Sequence, residues 1–199
     1  MTDMTLCRDF GLVETVNRAV AGGVCMVQLR AKDSTTPERI EMARALKAAL
    51  IGTGVPLIMN DDLDAAIHAD CDGAHIGQGD ISPTKARGLL GAEKTLGLSC
   101  ETPQTVMTSD PTIVDYLGLG PVFGTHTKKD HETPIGFAGL ARLVGLTALP
   151  TVAIGGLKAA HQAQVLASGA DGLAVVSAIC GQADPKAAAQ MFNQVGVTA

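Results

Sequence analysis

The chain has 199 residues, a formal net charge of -5, 46% hydrophobic and 18% charged residues, 23 Gly, one Tyr and no Trp. That length suits one buried core, because chains split into several cores only beyond roughly 250 residues, and the aliphatic, glycine-rich balance excludes a disordered chain. The acidic balance offers no basic footprint for nucleic acid or an anionic membrane, so any anion must be met in a local pocket.

The first ten residues, with Asp3, Arg8 and Asp9, lack the apolar stretch of a signal peptide. No apolar run nears the roughly 20 residues of a membrane span. Helical spacing is expected over 11–21, followed by a strand at 24–29. The clearest helix is 37–50, where Ile40, Ala43, Leu46, Ala49 and Leu50 share a face and Glu38, Arg39, Glu41, Arg44 and Lys47 mostly point away. Strands at 56–59, 73–76, 95–98, 114–119, 151–154 and 172–176 then alternate with helices at 62–69, 83–90, 103–109, 137–147, 159–168 and 184–195. Continuously apolar strands, each followed by a helix, predict an α/β fold with a parallel sheet buried on both faces. An echo at residues 21–24, 70–74 and 169–173, where a helix ends and a strand opens on small residues, favours a (β/α)8 TIM barrel over an open sheet. We expect a single catalytic domain over 1–199.

Ligands of such folds sit at the carboxyl ends of the strands, so the polar residues there are the candidates. Gln28, Arg30 and Lys32 alternate at the end of the first strand and suit a polyanion, although a solvated basic turn reads equally well. Asn60-Asp61-Asp62 and Gly77-Gln78-Gly79-Asp80 end the next two strands. Asp61 and Asp80, with the cations, fit a magnesium diphosphate site, because Mg²⁺ is usually held by one or two carboxylates, water and phosphate oxygens. Helix capping is the plainer reading for each aspartate alone. His75, inside a short strand, reads first as a hydrogen-bonded core residue. The polar stretch from Gly120 to Gly136 carries Thr125, Thr127, Lys128 and Lys129 and has the profile of a lid over phosphate, with an ordinary exposed loop as the alternative. Gly155-Gly156 and Ser177 end the last two strands, where backbone N–H groups opening a short helix after Ser177 would cradle a phosphate. Cys7, Cys25, Cys71, Cys100 and Cys180 form no C-x-x-C pair, and their odd number fits a reducing cytoplasm.

Read together, the strings VQLRAK at 27–32, MNDDLDAAIHADCDGAHIGQGD at 59–80, LGLS at 96–99, DYLGLGPVFGTHTKKD at 115–130, PIG at 134–136, TVAIGG at 151–156 and GADGLAVVSAI at 169–179 resemble the thiamine phosphate synthase family over nearly the whole chain. The resemblance implies a transferase that condenses a pyrimidine methyl diphosphate with a thiazole phosphate, using Mg²⁺ and releasing pyrophosphate. It implies Gln28 and His75 on the pyrimidine, and Arg30, Lys32, Asn60 and Lys128 on its diphosphate. Asp61 and Asp80 would bind the metal, and Thr125, Thr127, Gly156 and Ser177 the thiazole phosphate, with Ser99 near the reacting centre. Arg30, Lys32, Ser99 and Lys128 are the expected catalytic residues. In the family the diphosphate leaves first and the thiazole nitrogen captures the resulting cation, which calls for charge stabilisation and an oriented, dry pocket rather than a general base.

Two departures stand out. Asp62 replaces a larger or basic residue and is expected to add negative charge beside the metal pair. Cys100-Glu101 follows Ser99, where the family and its thiazole tautomerase relatives often have His, and Glu101 argues against tautomerase activity. The tautomerase, which needs no metal, and a non-catalytic phosphate-ligand-binding barrel are the competing readings. Small-molecule substrates are the expected partners, without nucleic acid or membrane, and a homodimer is compatible with the sequence. The family places a full strand before the Thr2-Asp3 position, so the first strand is expected to be shortened to residues 1–6 or missing, or else the true start lies upstream.

Overall fold

A computed structural model describes residues 1–124 and 133–192. Helices and strands alternate in chain order as α1 (Leu12–Ala21), β1 (Val27–Leu29), α2 (Thr36–Leu50), β2 (Leu57–Asn60), α3 (Leu63–His68), β3 (Gly73–Ile76), α4 (Pro83–Leu90), β4 (Thr95–Cys100), α5 (Pro103–Met107) and β5 (Tyr116–Leu119). Then come α6 (Gly136–Val144), β6 (Thr151–Ile154), a short 3-10 turn (Ala159–His161), α7 (Gln162–Ala167), β7 (Gly172–Ala174) and α8 (Pro185–Gln190). The helices and strands expected from residue 11 onward in the alternating series each have a counterpart among the described residues. The strand expected from residue 24 begins only at Val27, because the Val24 N–H is spent on Ala19 O at the end of α1 and the ladder opens with Val27 N–H on Pro56 O. The last strand stops at Ala174, two residues short of expectation, and the Val176 carbonyl instead accepts from the Ile179 and Cys180 N–H groups.

The chain forms two compact units, Met1–Ala74 with Val176–Ala199, and His75–Val175. In the first, β1 and β2 pair in parallel with Val27 opposite Leu57 and Leu29 opposite Met59. Leu29, Leu46, Leu57, Ile58 and Met59 are fully buried. Burial of neighbouring residues that point to opposite faces is what made β2 read as one apolar run. The expected first strand is reduced to Thr2, whose N–H donates to Gln28 O at 2.9 Å and whose hydroxyl accepts the Arg30 N–H at 2.9 Å. Gly22 has no room for a side chain, since a Cβ there would strike the Lys186 carbonyl and Ala189.

In the second unit, β4, β5, β6 and β7 lie side by side, all parallel, with Gly97 opposite Tyr116, Gly118 opposite Val152 and Ala153 opposite Leu173. One device recurs in both units. The aspartate just before a strand bonds an amide in the first two residues of the preceding one: Asp72 accepts from Leu57 N–H at 2.8 Å, Asp115 from Leu96 N–H at 2.7 Å and Asp171 from Thr151 N–H at 2.7 Å. Each also donates its own N–H to that residue's carbonyl. These latches satisfy backbone groups that the ladder leaves unpaired at the amino ends of the strands.

Candidate active site

In the first unit the candidate row Gln28-Arg30-Lys32 leaves the strand early, since β1 ends at Leu29. Gln28 is half-buried and Lys32 is exposed. The Arg30 side chain is only 11% exposed, and its guanidinium lies 4.0 Å from the Asp3 carboxylate. The segment after β1 is held by Arg39 of α2, whose guanidinium donates to Ala31 O and Lys32 O, each at 3.0 Å, and to the Asp62 carboxylate at 2.9 Å.

Asp62 therefore does not act as an added charge beside a metal. It caps α3 by accepting from Ala65 N–H at 2.9 Å, and it also takes the Thr36 hydroxyl at 2.8 Å. Burial opposes its charge, but the Ala65 amide, Arg39 and Thr36 outweigh that and hold the carboxyl below its usual value. The capping reading holds for Asp62, and the expectation of a free negative charge fails because the ion pair neutralises it. Asp61, by contrast, sits at φ 64° in a tight turn closed by Asp62 N–H on Asn60 O at 2.8 Å. A non-glycine residue in that region costs about 1–3 kcal/mol and persists where its surroundings impose it, often at functional positions. Asn60 ends β2 half-buried. Ser177 is exposed, and the short helix expected after it is a run of turns, with the Ser177 carbonyl accepting from Gln182 Nε2 at 2.8 Å. Gly181, at φ 78°, closes that run.

In the second unit His75 is 8% exposed and bonded on both ring nitrogens, Nδ1 lying 2.8 Å from the Tyr116 hydroxyl and Nε2 2.9 Å from Ser99 Oγ. The reading of His75 as a hydrogen-bonded core residue holds. Glycine makes the arrangement possible: a Cβ on Gly97 would collide with the rings of Tyr116 and His75, and one on Gly118 would stand 3.0 Å from His75 Cε1. Burial pushes the Tyr116 phenol upward, so it stays protonated. Gln78 Nε2 donates to the Ser99 carbonyl at 2.7 Å, and Asp80 Oδ2 accepts the Gly77 N–H at 2.7 Å. Asp80 thus ties one oxygen to its own turn, whatever the other one binds.

Gly155 and Gly156 have φ 103° and 62°, and a Cβ on Gly156 would lie 2.6 Å from Gly124 O. Their backbone receives the chain after β5, with Val122 N–H on Ile154 O at 2.8 Å and Phe123 N–H on Gly155 O at 3.0 Å. Thr125, Thr127, Lys128 and Lys129 lie outside the described residues. Among those described, no three His, Cys, Asp or Glu side chains cluster to hold a metal, and no helix is long and apolar enough to cross a membrane.

Tyr116 and Arg39 were not singled out from the sequence as site residues. The signal for Tyr116 was available, because Tyr116, Gly118 and Gly120 alternate with buried leucines, so two glycines share its strand face. No pattern in the sequence pointed Arg39 at Asp62.

The profile of thiamine monophosphate synthase matches residues 1–179. The chain belongs to that family. It is 48% identical to the thiamine-phosphate synthase of Psychrobacter sp. (strain PRwf-1), covering 96% of this chain and 91% of the relative. It is 50% identical to that of Xanthobacter autotrophicus, covering 97% and 92%. Among solved structures, the thiamine phosphate pyrophosphorylase from Pyrococcus furiosus superposes with a TM-score of 0.86 at 30% identity over 96% of this chain and 91% of that one. Phosphoribosyl anthranilate isomerase from Thermus thermophilus, at 16% identity and a TM-score of 0.65 over 91% of this chain and 92% of that one, shares the fold alone. The family is one of transferases, and the α/β barrel class expected from the sequence is its fold.

Proposed function

We propose that this chain condenses 4-amino-2-methyl-5-hydroxymethylpyrimidine diphosphate with thiazole phosphate to give thiamine phosphate and pyrophosphate, in one catalytic domain of a cytoplasmic protein. The observation that carries the reading is the polar pair His75–Ser99, fixed at 2.9 Å on a strand face that Gly97 and Gly118 keep clear, in a chain about half identical to thiamine-phosphate synthases.

In this reading Gln28 and His75 orient the pyrimidine, and Ser99 lies beside the carbon that changes partners. Arg30, Lys32, Asn60 and Lys128 meet the diphosphate, where cations oppose the charge that grows as the C–O bond breaks. Thr125, Thr127, Gly156 and Ser177 hold the thiazole phosphate so that its ring nitrogen faces the developing cation, an arrangement that replaces a collision by a positioned encounter. Magnesium belongs on Asp61 and Asp80. The donor set fits, since both are hard oxygen ligands, one imposed by a strained turn and the other steadied by the Gly77 amide, and two carboxylates are the usual protein share for this ion. Bound there, the metal supplies neutralisation of the departing diphosphate.

Omission experiments test the proposal. Pyrophosphate release should require both organic substrates and Mg²⁺ together. Release without the thiazole phosphate at the full rate, or none with all three present, contradicts it.

A further inference from the structure

We propose that Tyr116 is a positioning residue that fixes His75 as its Nε2–H tautomer and so leaves the Ser99 hydroxyl hydrogen for the substrate. The argument is an accounting of three hydrogens along one chain of contacts, Tyr116 hydroxyl to His75 Nδ1 at 2.8 Å and His75 Nε2 to Ser99 Oγ at 2.9 Å.

Tyr116 is buried at 9% exposure, and His75 Nδ1 is the hydrogen-bond partner of its hydroxyl among the described residues. A buried O–H that finds no acceptor is costly, whereas a phenol oxygen that merely lacks an incoming donor loses little. The phenol therefore donates. Nδ1 must then be bare, and a neutral imidazole with a bare Nδ1 carries its hydrogen on Nε2. That hydrogen goes to Ser99 Oγ. The opposite order, with Ser99 donating to Nε2 and Nδ1–H donating to the phenol, would strand the Tyr116 hydrogen in the core. An imidazolium would strand it as well.

The consequence lies at Ser99, which is half-buried and whose oxygen now accepts from His75. Its own hydrogen turns to whatever occupies the open side. Ser99 thus meets a ligand as a donor and recognises an acceptor atom. An aminopyrimidine offers ring nitrogens as acceptors and its amino group as a donor, so Ser99 takes a ring nitrogen and leaves the amino group to another residue. The tautomer assignment stands on the protein alone, while the identity of the acceptor rests on the reaction proposed above. Gly97 and Gly118 belong to the same device, because side chains there would push the rings apart.

Nitrogen-15 NMR of histidine-labelled protein at pH 7 reads the tautomer directly, with His75 assigned among the five histidines by the resonance lost in His75→Asn. Wild type should show a neutral His75 protonated on Nε2. Tyr116→Phe should lose that fixed state and raise KM for the pyrimidine diphosphate about tenfold while KM for thiazole phosphate stays put. Ser99→Ala should keep the Nε2–H tautomer, since Tyr116 sets it. Protonation on Nδ1 in the wild type, an unchanged tautomer in Tyr116→Phe, or a switched one in Ser99→Ala would each overturn the proposal. A protein with the predicted tautomer and no turnover would count against the reaction and leave the relay standing.

Discussion

The Arg39 guanidinium lies 2.9 Å from the Asp62 carboxylate while also holding the carbonyls of Ala31 and Lys32. One side chain of α2 thereby links the segment that carries Arg30 and Lys32 to the turn that carries Asp61. Asp62→Ala removes both the α3 cap and the ion pair. It should cost about 1–3 kcal/mol, read as a lower urea midpoint at pH 7.

The sign of the pH dependence follows from the same contacts. The Asp62 carboxyl titrates lower in the folded protein than in the unfolded chain, so it contributes stability that is fully present above the unfolded value, about 4, and is lost as pH falls through the folded value. The stability gap between wild type and Asp62→Ala should therefore be constant from pH 6 to 8 and shrink under acid conditions. A gap that instead grows on acidification would show that Asp62 is not held ionised by these partners.

Asp61 separates strain from function. Asp61→Gly suits φ 64°, so this variant should match or exceed wild-type stability by about 0.5–1 kcal/mol. Its magnesium-dependent turnover should nevertheless fall at least about a hundredfold, the scale of losing one preorganised electrostatic group. Asp80→Ala should lose turnover similarly. Thermal unfolding beside steady-state rates checks both statements, and near-normal activity in both variants would remove the metal assignment.

The glycine cradle predicts an order. Gly97→Ala forces a methyl group onto two buried rings and should destabilise more than Gly118→Ala, which meets one ring edge at 3.0 Å. Overpacking of this kind costs about 1–3 kcal/mol, and chemical unfolding of the two variants side by side ranks them.

Arg30→Ala and Lys128→Ala should slow the chemical step more than they weaken thiazole phosphate binding, because the proposed role of these cations is to oppose the charge that grows on the departing diphosphate. Single-turnover rates separate the two effects. A change confined to thiazole phosphate affinity in Lys128→Ala would move that residue to the other phosphate site.

Much of the fold was legible because its signals are local. Apolar strands at 56–59 and 151–154 and the amphipathic spacing of 37–50 each write their own element, and Ala43, Leu46 and Leu50 are the buried positions of α2. The echo at 70–74 and 169–173 was visible as a repeat, but its meaning was not. It marks Asp72 and Asp171, aspartates that latch the preceding strand, and Asp115 performs the same task outside the echo. Contacts between distant residues were illegible: nothing near Asp62 announces Arg39, which lies 23 positions earlier, and nothing near His75 announces Tyr116, 41 positions later. Asp62 was misread for that reason, since its charge looks uncompensated until the partner folds in.

The most direct measurement of the central claim is a phosphorus-31 NMR time course of the purified chain with both substrates and Mg²⁺. The account predicts that the pyrimidine diphosphate signals decay as inorganic pyrophosphate appears in equal amount, and that the thiazole phosphate ester is carried intact into thiamine phosphate. Persistence of the diphosphate signals while the thiazole phosphate isomerises, or no change at all in the presence of all three, would contradict it.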